Sequence, residues 1–181
     1  MNAPMQQDVA KTPPGSADEV DLLVAAWGRE RPDIDTAPML IWSRITRLAQ
    51  LLDAARAQAF LAQELQVWEF DVLAALRRSG EPYRLSPGQL IALTHVTSGT
   101  MTNRVDRLVG RGLVTRMANP SDGRGVLVEL TEAGRSKADA ALADLIASEV
   151  ALGAQLSPAE SDELARMLRT LLLAQEAELE P

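Results

Sequence analysis

Apolar residues recur every three or four positions along most of the chain, and this spacing predicts a mainly helical protein. Ser16 and Glu19 have the spacing of a capping box, which predicts a helix start there. This first helix carries Trp27 and ends at Pro32. The predicted helices cover about residues 17–31, 36–64, 66–79, 86–95, 98–112, 132–155 and 158–178.

Two short runs of β-type residues interrupt the helices, at Leu113–Met117 and Val126–Leu130. The intervening ANPSDGRG contains Asn-Pro, Asp-Gly and a further glycine, which is typical of a long hairpin loop. Helices followed by a hairpin and more helices predict a mainly α fold with a small β-hairpin wing. This order is that of a winged helix-turn-helix with helical extensions at both ends.

The predicted elements divide the chain into four segments. Prolines and a glycine predict a disordered tail at 1–16. N-terminal helices occupy 17–64, the winged helix-turn-helix domain 65–134, and C-terminal helices 135–181. A core of about 60 residues cannot cover the apolar stripes of such long extensions. We therefore expect the extensions to be dimerisation helices that pack against a second copy in a homodimer.

The composition excludes several classes of protein. The 181 residues include no cysteine, which excludes disulfides, thiolate metal sites and a cysteine nucleophile. The first residues lack a cationic patch followed by an apolar run, and no segment reaches about 18 uninterrupted apolar residues. We therefore expect a cytoplasmic protein that has neither a targeting segment nor a membrane span.

The formal net charge of −7 is unevenly distributed. Residues 71–130 contain eight arginines and five acidic residues, so this part carries +3 and the remainder −10. A basic middle between acidic flanks is expected of a DNA-binding module carried on acidic helical arms. Because charge segregation is common, the pattern does not decide the class by itself.

The stretch VTSGTMTNRVDRLVGRGLV, residues 96–114, predicts a helix with two different faces. At about 100° per residue, one face carries the apolar residues expected to pack inward: Met101, Val105, Leu108 and Val109. Short polar residues lead the other face, and in a major groove they can reach base edges or phosphates. The alternative is an ordinary solvated face on which Ser and Thr only cap the helix. The candidate DNA contacts on this helix are Ser98, Gly99, Thr100, Thr102, Asn103 and Arg107.

Arginines supply further candidate contacts. Arg124 lies between two glycines at the predicted hairpin tip, which suits insertion into a narrow minor groove. Arg107, Arg111 and Arg116 are expected to contact phosphates, which position a protein without reading sequence. Each of these arginines could equally be an ordinary surface residue.

No arrangement of residues in the sequence predicts catalysis. His95 is the sole histidine, and at a junction of two helices its expected role is packing or capping. No carboxylate or cysteine partners give it metal-ligand spacing. The sequence has no Gly-rich phosphate loop, nucleophile elbow or pair of acids with catalytic spacing. We expect no enzyme activity, no metal and no cofactor.

Order and motifs together resemble the MarR family of bacterial transcription factors over about residues 36–178. The motifs are SGTMTNR at 98–104, LVGRGL at 108–113, NPSDGRG at 119–125 and LTEAG at 130–134. The resemblance implies a dimeric winged-helix protein that usually represses a neighbouring gene until a small ligand binds.

A narrower resemblance, to the PecS branch of that family, covers the N-terminus. It rests on the extra helix ending in Trp27 and on the RERPDID that follows at 29–35. Urate-responsive members use a tryptophan on the extra helix, an aspartate on the second helix and an arginine on the recognition helix. Trp27, Asp71 and Arg104 stand at those positions here, which implies that they bind a small planar anion such as urate. A helix staple, a solvated acid and a structural ion pair are the respective alternatives.

The leading interpretation is a ligand-responsive repressor that binds a pseudo-palindromic operator as a homodimer and loses DNA affinity when urate or a similar aromatic anion binds. One alternative is a repressor of the same family that responds to a phenolic or aromatic carboxylate. Another is a winged-helix module that binds a protein partner and has no sequence-specific affinity for DNA. The expected partners are operator DNA, a small effector and a second copy, without a membrane.

Overall fold

A computed structural model of the chain describes residues 17–119 and 122–179. The predicted tail 1–16, with Ser16, lies outside the described residues. The helices are α1 (Glu19–Glu30), α2 (Met39–Ala62), α3 (Val67–Arg78), α4 (Pro87–Thr94), α5 (Ser98–Gly110), α6 (Glu132–Leu152) and α7 (Pro158–Leu179). The strands are β1 (Arg84–Leu85), β2 (Val114–Asn119) and β3 (Asp122–Leu130). The predicted mainly α fold with a hairpin wing is confirmed.

The start of α1 differs from the prediction. The N-cap is Asp18, whose carboxylate accepts hydrogen bonds from the backbone N–H of Val20 at 2.8 Å and of Asp21 at 3.0 Å. The Asp21 carboxylate accepts in return from the N–H of Asp18 at 3.0 Å, which completes a capping box. The same three-residue spacing as Ser16 and Glu19 therefore occurs two residues later, with a carboxylate in place of a hydroxyl.

The chain divides after Leu51, inside α2, into two units. In the first unit, Arg44 of α2 donates to Asp18 at 2.8 Å and to Asp21 at 2.7 Å. Arg47 also pairs with Glu19. The α1 cap and the side of α2 are thus joined by ion pairs, and Val20 is the buried residue of α1.

The core of the second unit lies between α3, α5, α6 and the sheet. Phe60, at the end of α2, stacks on Phe70 of α3 with ring centroids 4.1 Å apart. The largest side chains that are fully buried with Phe60 are Leu65, Leu73, Leu76, Leu90, Met101 and Leu108. Helix α3 is therefore enclosed on most sides and supports α5 from behind.

The three strands of the described sheet are antiparallel in the order β1-β3-β2. Arg84 and Leu85 of β1 pair with Glu129 and Val128 of β3. Strand β1 is not predictable from the sequence, because two residues are too few for the alternation that identifies strands. This strand lies between α3 and α4 in the chain and forms one edge of the sheet.

The predicted long hairpin loop is wrong in its extent. Strand β2 continues to Asn119 and β3 begins at Asp122, and these two residues pair with each other. The next pair is Ala118 with Val126, so three residues of β3 have no partner in β2. Arg124 is the middle one of these three, within the bounds of β3 and not at a loop tip. Pro120 and Ser121 lie outside the described residues.

A close backbone contact joins the wing to α6. Gly134 lies so near the loop after α5 that a Cβ there would be 2.0 Å from the carbonyl oxygen of Leu113. Thr131, the N-cap of α6, donates from its hydroxyl to the carbonyl of Leu113 at 3.0 Å and accepts from the N–H of Gly134 at 3.0 Å. Gly112 makes the turn after α5 with a φ of +69°. The LTEAG motif is thus explained by packing.

The two C-terminal helices expose large apolar surfaces. Helix α6 buries Ala138, Ala141 and Leu145, but it exposes Ile146 and Val150. None of residues 158–177 in α7 is buried. No helix among the described residues is long and apolar enough to cross a membrane.

Candidate nucleic-acid interface and effector cavity

Helix α5 is held by one apolar face. Thr97 is its N-cap, and Met101, Val105 and Leu108 are buried. Val109 was predicted to face inward, but it is 39% exposed. It lies at the edge of the apolar arc, where the neighbouring helices no longer cover the surface. The opposite face is exposed.

The polar face of α5 is accessible along the leading half of the helix. Part of its hydroxyl pattern serves the helix itself: the Thr97 and Thr100 hydroxyls share a hydrogen bond of 2.9 Å, and the Thr102 hydroxyl donates to the Ser98 carbonyl at 3.1 Å. The side chain of Asn103 has no hydrogen-bond partner among the described residues. Its amide is thus available to an outside molecule. The backbone at Gly99 and the exposed hydroxyl of Ser98 are accessible as well. The predicted contacts that are exposed are Ser98, Gly99, Thr100, Thr102, Asn103 and Arg107.

Two arginines of α5 lie over one indole ring. The guanidinium carbon of Arg107 is 4.9 Å from the ring centroid of Trp68, and that of Arg104 is 5.5 Å away. Trp68 is the second residue of α3 and is half-buried. These residues border a surface cleft of about 430 Å³, with Gly99, Thr100 and Asn103 on its other side. Trp68 was not among the predicted site residues, because only the packing of α3 against α5 brings its ring to these arginines.

The sequence suggested that Arg111 is free to contact a phosphate. In the structure its guanidinium is instead bound within the protein. Its Nη1 donates to Oε2 of Glu69 at 2.6 Å, and its Nη2 donates to the Glu64 carbonyl at 2.9 Å. Glu69 is 2% exposed and is the one charged residue in the described core. A buried carboxylate needs this partner, because an unpaired buried charge is costly. Arg111 therefore joins the end of α5 to the start of α3.

Arg116 and Arg124 belong to the wing. Arg116 on β2 pairs with Asp106 of α5 at 2.5 Å, and both side chains are exposed. This pair links the wing to the recognition helix while leaving the Arg116 guanidinium at the surface. The backbone of Arg124 lies within β3, in the part that has no partner in β2.

Asp71 lines a second, deeper cavity of about 420 Å³ between α3, the end of α4 and α6. Arg56 approaches its carboxylate to 3.6 Å, and Arg77 forms a 2.7 Å ion pair with Asp139 across the cavity wall. The hydrogen bond that Arg77 donates to the Asp139 carboxylate raises the pKa of the Arg77 guanidinium above its ordinary value. The apolar part of the lining comes from Phe70, Leu93, Leu142 and Leu145. The lining thus has three arginines and two carboxylates beside an apolar wall, and this slight excess of positive charge suits a planar anion.

Further cavity residues are Arg78 and His95. His95 is the C-cap of α4, in the left-handed conformation with φ of 53°, so the expected capping role is confirmed. Arg78 could have been found from the sequence, because positions 71, 74 and 78 share one face of a helix. Arg56 and Asp139 could not, since only the packing of α2 and α6 against α3 brings them there.

The two predicted ligand residues of the second unit, Asp71 and Arg104, line different cavities. Trp27 is in the first unit, on α1, and is 46% exposed. In the second unit, Asp71 lines the deep cavity, whereas Arg104 borders the cleft at Trp68. The Arg104 guanidinium lies over the Trp68 ring of α3. Groups of three or more side chains suited to a metal are absent from the described ranges.

The helix-turn-helix of α4 and α5, a sheet wing beside it and an accessible polar face on α5 define a DNA-binding protein of the winged-helix class.

Comparison with known proteins gives the family. The sequence profile of the MarR family matches residues 63–125. The HTH-type transcriptional regulator PecS of Dickeya dadantii is 40% identical over 116 residues, which cover 64% of this chain and 70% of that protein. The chain belongs to the MarR family of DNA-binding transcriptional regulators, and within it to the PecS-like branch.

Solved structures agree with this assignment. MarR of Escherichia coli in its apo form has a TM-score of 0.63 and 27% identity, over 73% of this chain and 96% of that one. A cysteine variant of the same protein, complexed with operator DNA, has a TM-score of 0.62 and 25% identity, over 81% and 97%. BpsR of Bordetella bronchiseptica, described for the regulation of its DNA binding by 6-hydroxynicotinic acid, has a TM-score of 0.60 and 27% identity, over 72% and 91%. These proteins are regulators and not enzymes.

Proposed function

We propose that the chain acts as a homodimeric repressor, that each copy lays α5 in a major groove of a pseudo-palindromic operator, and that a small planar anion weakens this binding. The observation that supports it best is the exposed polar face of α5, where Asn103 and Arg107 are not engaged by any acid in the described part. An amide at this place can read adenine, and a guanidinium can bind guanine or a phosphate. Arg116 and Arg124 on the wing are the proposed backbone and minor-groove contacts.

The exposed apolar surfaces support the homodimer. Leu164, Leu168 and Leu171 are each more than a third exposed on one face of α7, and α6 adds Ile146 and Val150. Contiguous apolar patches on the surface of a folded protein commonly mark interaction sites. In a two-fold dimer, the same apolar stripe of each copy packs against that of the other copy. This arrangement relates the two recognition helices by the same two-fold axis.

The cavity at Asp71 is the proposed effector site. Its three arginines, Arg56, Arg77 and Arg78, outnumber its two carboxylates and favour an anion, and its apolar wall favours a ring. The kinship with PecS favours urate, and the structural likeness to BpsR favours an aromatic carboxylate of the 6-hydroxynicotinic acid type. Participation of Trp27 and Arg104 in binding the ligand stays a prediction.

Helix α3 offers a route by which the cavity could influence α5. Asp71 faces the cavity, while Trp68 and Glu69, less than one turn earlier on the same helix, contact Arg104, Arg107 and Arg111 of α5. A ligand that displaces the Arg56 contact of Asp71 and shifts α3 would shift the recognition helix. Coupling of about 1–3 kcal/mol between two such sites is typical of regulatory proteins.

A mobility shift with the DNA upstream of the protein's own gene tests the proposal. We expect a complex that weakens with salt and that millimolar urate or 6-hydroxynicotinate dissolves. Asp71→Asn should bind the same DNA and lose the response to the ligand, whereas Asp53→Asn, an exposed acid on α2, should keep it. Arg124→Ala should bind more weakly than Arg29→Ala. A complex that neither compound affects would overturn the effector assignment, and equal binding of the two arginine variants would overturn the wing contact.

A further inference from the structure

The pair of guanidiniums on Trp68 differs from most other arginine sites in this unit. Most arginines of the second unit form an ion pair, as Arg56, Arg77 and Arg84 do with Asp71, Asp139 and Glu129. Within the described ranges, Arg104 and Arg107 have no carboxylate partner. Both lie instead over the face of one indole, at 5.5 and 4.9 Å.

Two uncompensated cations at one indole ring repel each other unless an anion joins them. Nothing that the structure describes supplies that anion from within the protein. The cleft that Trp68, Arg104 and Arg107 border opens on the polar face of α5, next to Thr100 and Asn103. It is open to solvent on the side that a bound duplex would face, so the charge that fits it is a phosphate of the DNA backbone.

We propose that Trp68 is a positioning residue of the DNA interface: its indole holds Arg104, in the middle of α5, and Arg107, in its last turn, in place as a preformed phosphate-binding pair. This inference rests on the proposed role of α5 in contacting DNA. The ring attracts each guanidinium through its negative face, and it is itself fixed because its inner edge packs against the core. Long arginine side chains lose freedom on binding, and a ring that already confines them lowers that cost.

The assignment gives Arg104 a role other than ligand binding. Its guanidinium lies at the same ring as that of Arg107, in the cleft and not in the cavity at Asp71. It therefore contributes to affinity for DNA of any sequence, while Asn103, beside it, contributes to the choice of sequence.

The test measures DNA affinity for variants of Trp68, with a duplex selected from a random-sequence pool by the wild-type protein. Trp68→Leu should bind about tenfold more weakly, because two exposed cation–π contacts are lost. In a protein that already carries Arg104→Ala and Arg107→Ala, the same substitution should cost less than about twofold, since the side chains it positions are gone. Arg29→Ala, which removes a charge from α1, serves as the control for net charge.

Because Trp68 also packs on the core, thermal unfolding of each variant is measured first. If Trp68→Leu is unfolded at the assay temperature, Trp68→Tyr and Trp68→Phe replace it. Affinity should then fall in the order Trp, Tyr, Phe, which is the order of cation–π strength. A loss of affinity that is equal with and without the two arginines, or equal affinity of all three aromatic variants, would show that Trp68 serves the fold alone. Failure of the wild-type protein to select any duplex would instead count against the proposed function.

Discussion

At the scale of single residues, two arginines four positions apart on α5 illustrate what the sequence can and cannot indicate. Arg107 and Arg111 were both expected to contact phosphates. Arg107 is exposed over an aromatic ring, whereas Arg111 holds a buried glutamate that is 42 positions earlier in the chain. Neither the residue type nor the helical position distinguishes them, because the difference comes from a long-range contact that periodicity does not encode.

Replacing Arg111 tests this distinction. In Arg111→Gln the carboxylate of Glu69 stays buried without its cationic partner, and we expect the free energy of unfolding to fall by about 1–3 kcal/mol. Arg107→Gln, the matched control on the same helix, should change stability by no more than about 0.5 kcal/mol and should instead weaken DNA binding. Urea denaturation of both variants measures the difference. Equal stability of the two variants would contradict the structural role of Arg111.

At the scale of elements, features set by neighbouring residues were predictable and features set by distant ones were not. The helix ends at Ser86, Thr97 and Thr131 follow from local capping, and each is observed. Strand β1 and the irregular pairing near Arg124 depend on contacts between strands, which turn-forming residues do not specify. The same limit applies to the site: the α5 face was predictable from the sequence, but Trp68 and the cavity around Asp71 require the packing of α3 against other helices.

The junction of the wing and α6 depends on one glycine. Gly134→Ala would place a Cβ 2.0 Å from the Leu113 carbonyl oxygen, so backbone must move, and we expect a loss of stability of about 1–3 kcal/mol. Gly110→Ala is the matched control, since no atom lies within 4 Å of the added Cβ, and alanine in a helix should raise stability by about 0.5–1 kcal/mol. Thermal unfolding compares the two. A Gly134→Ala protein as stable as the wild type would contradict the close contact.

The attachment of α1 depends on the ionised carboxylate of Asp18. The hydrogen bond from Arg44, together with that from the Asp21 N–H, lowers the pKa of Asp18 below its ordinary value of 3.8. A lowered pKa means that the contact stabilises the fold at neutral pH and is lost as the pH falls through the lowered pKa. Titration of the Asp18 carboxyl carbon by NMR should show its midpoint rise toward 3.8 in Arg44→Gln. An unchanged midpoint in that variant would rule out the ion pair.

At the scale of the whole molecule, the apolar faces of the C-terminal helices set the expected assembly. Leu168→Glu introduces a charge at the centre of the exposed apolar face of α7, and we expect it to convert a dimer to a monomer of 19.6 kDa. Thr170→Glu, on the opposite side of the same helix, should leave the dimer intact. Sedimentation equilibrium at micromolar concentration gives both masses. A monomeric wild-type protein, or a dimeric Leu168→Glu variant, would exclude this face as the dimer interface.

The charge distribution of the whole chain is consistent with its family. The part that contains the recognition helix and the wing carries +3, although the full chain carries −7. Acidic extensions repel DNA, so binding is expected to be confined to the basic part and to depend strongly on salt. This level of organisation could be predicted from the sequence, since it needs only the positions of charged residues.

The central claim is that the exposed face of α5 reads DNA sequence, and selection from a random-sequence DNA pool tests it most directly. The wild-type protein should enrich a two-fold symmetric site whose half-sites are about 10 base pairs apart, one turn of the duplex. Asn103→Ala should enrich sites of the same spacing with a relaxed base preference at one position in each half-site. No enrichment by the wild-type protein at low salt, or the same strict preference in Asn103→Ala, would contradict the claim.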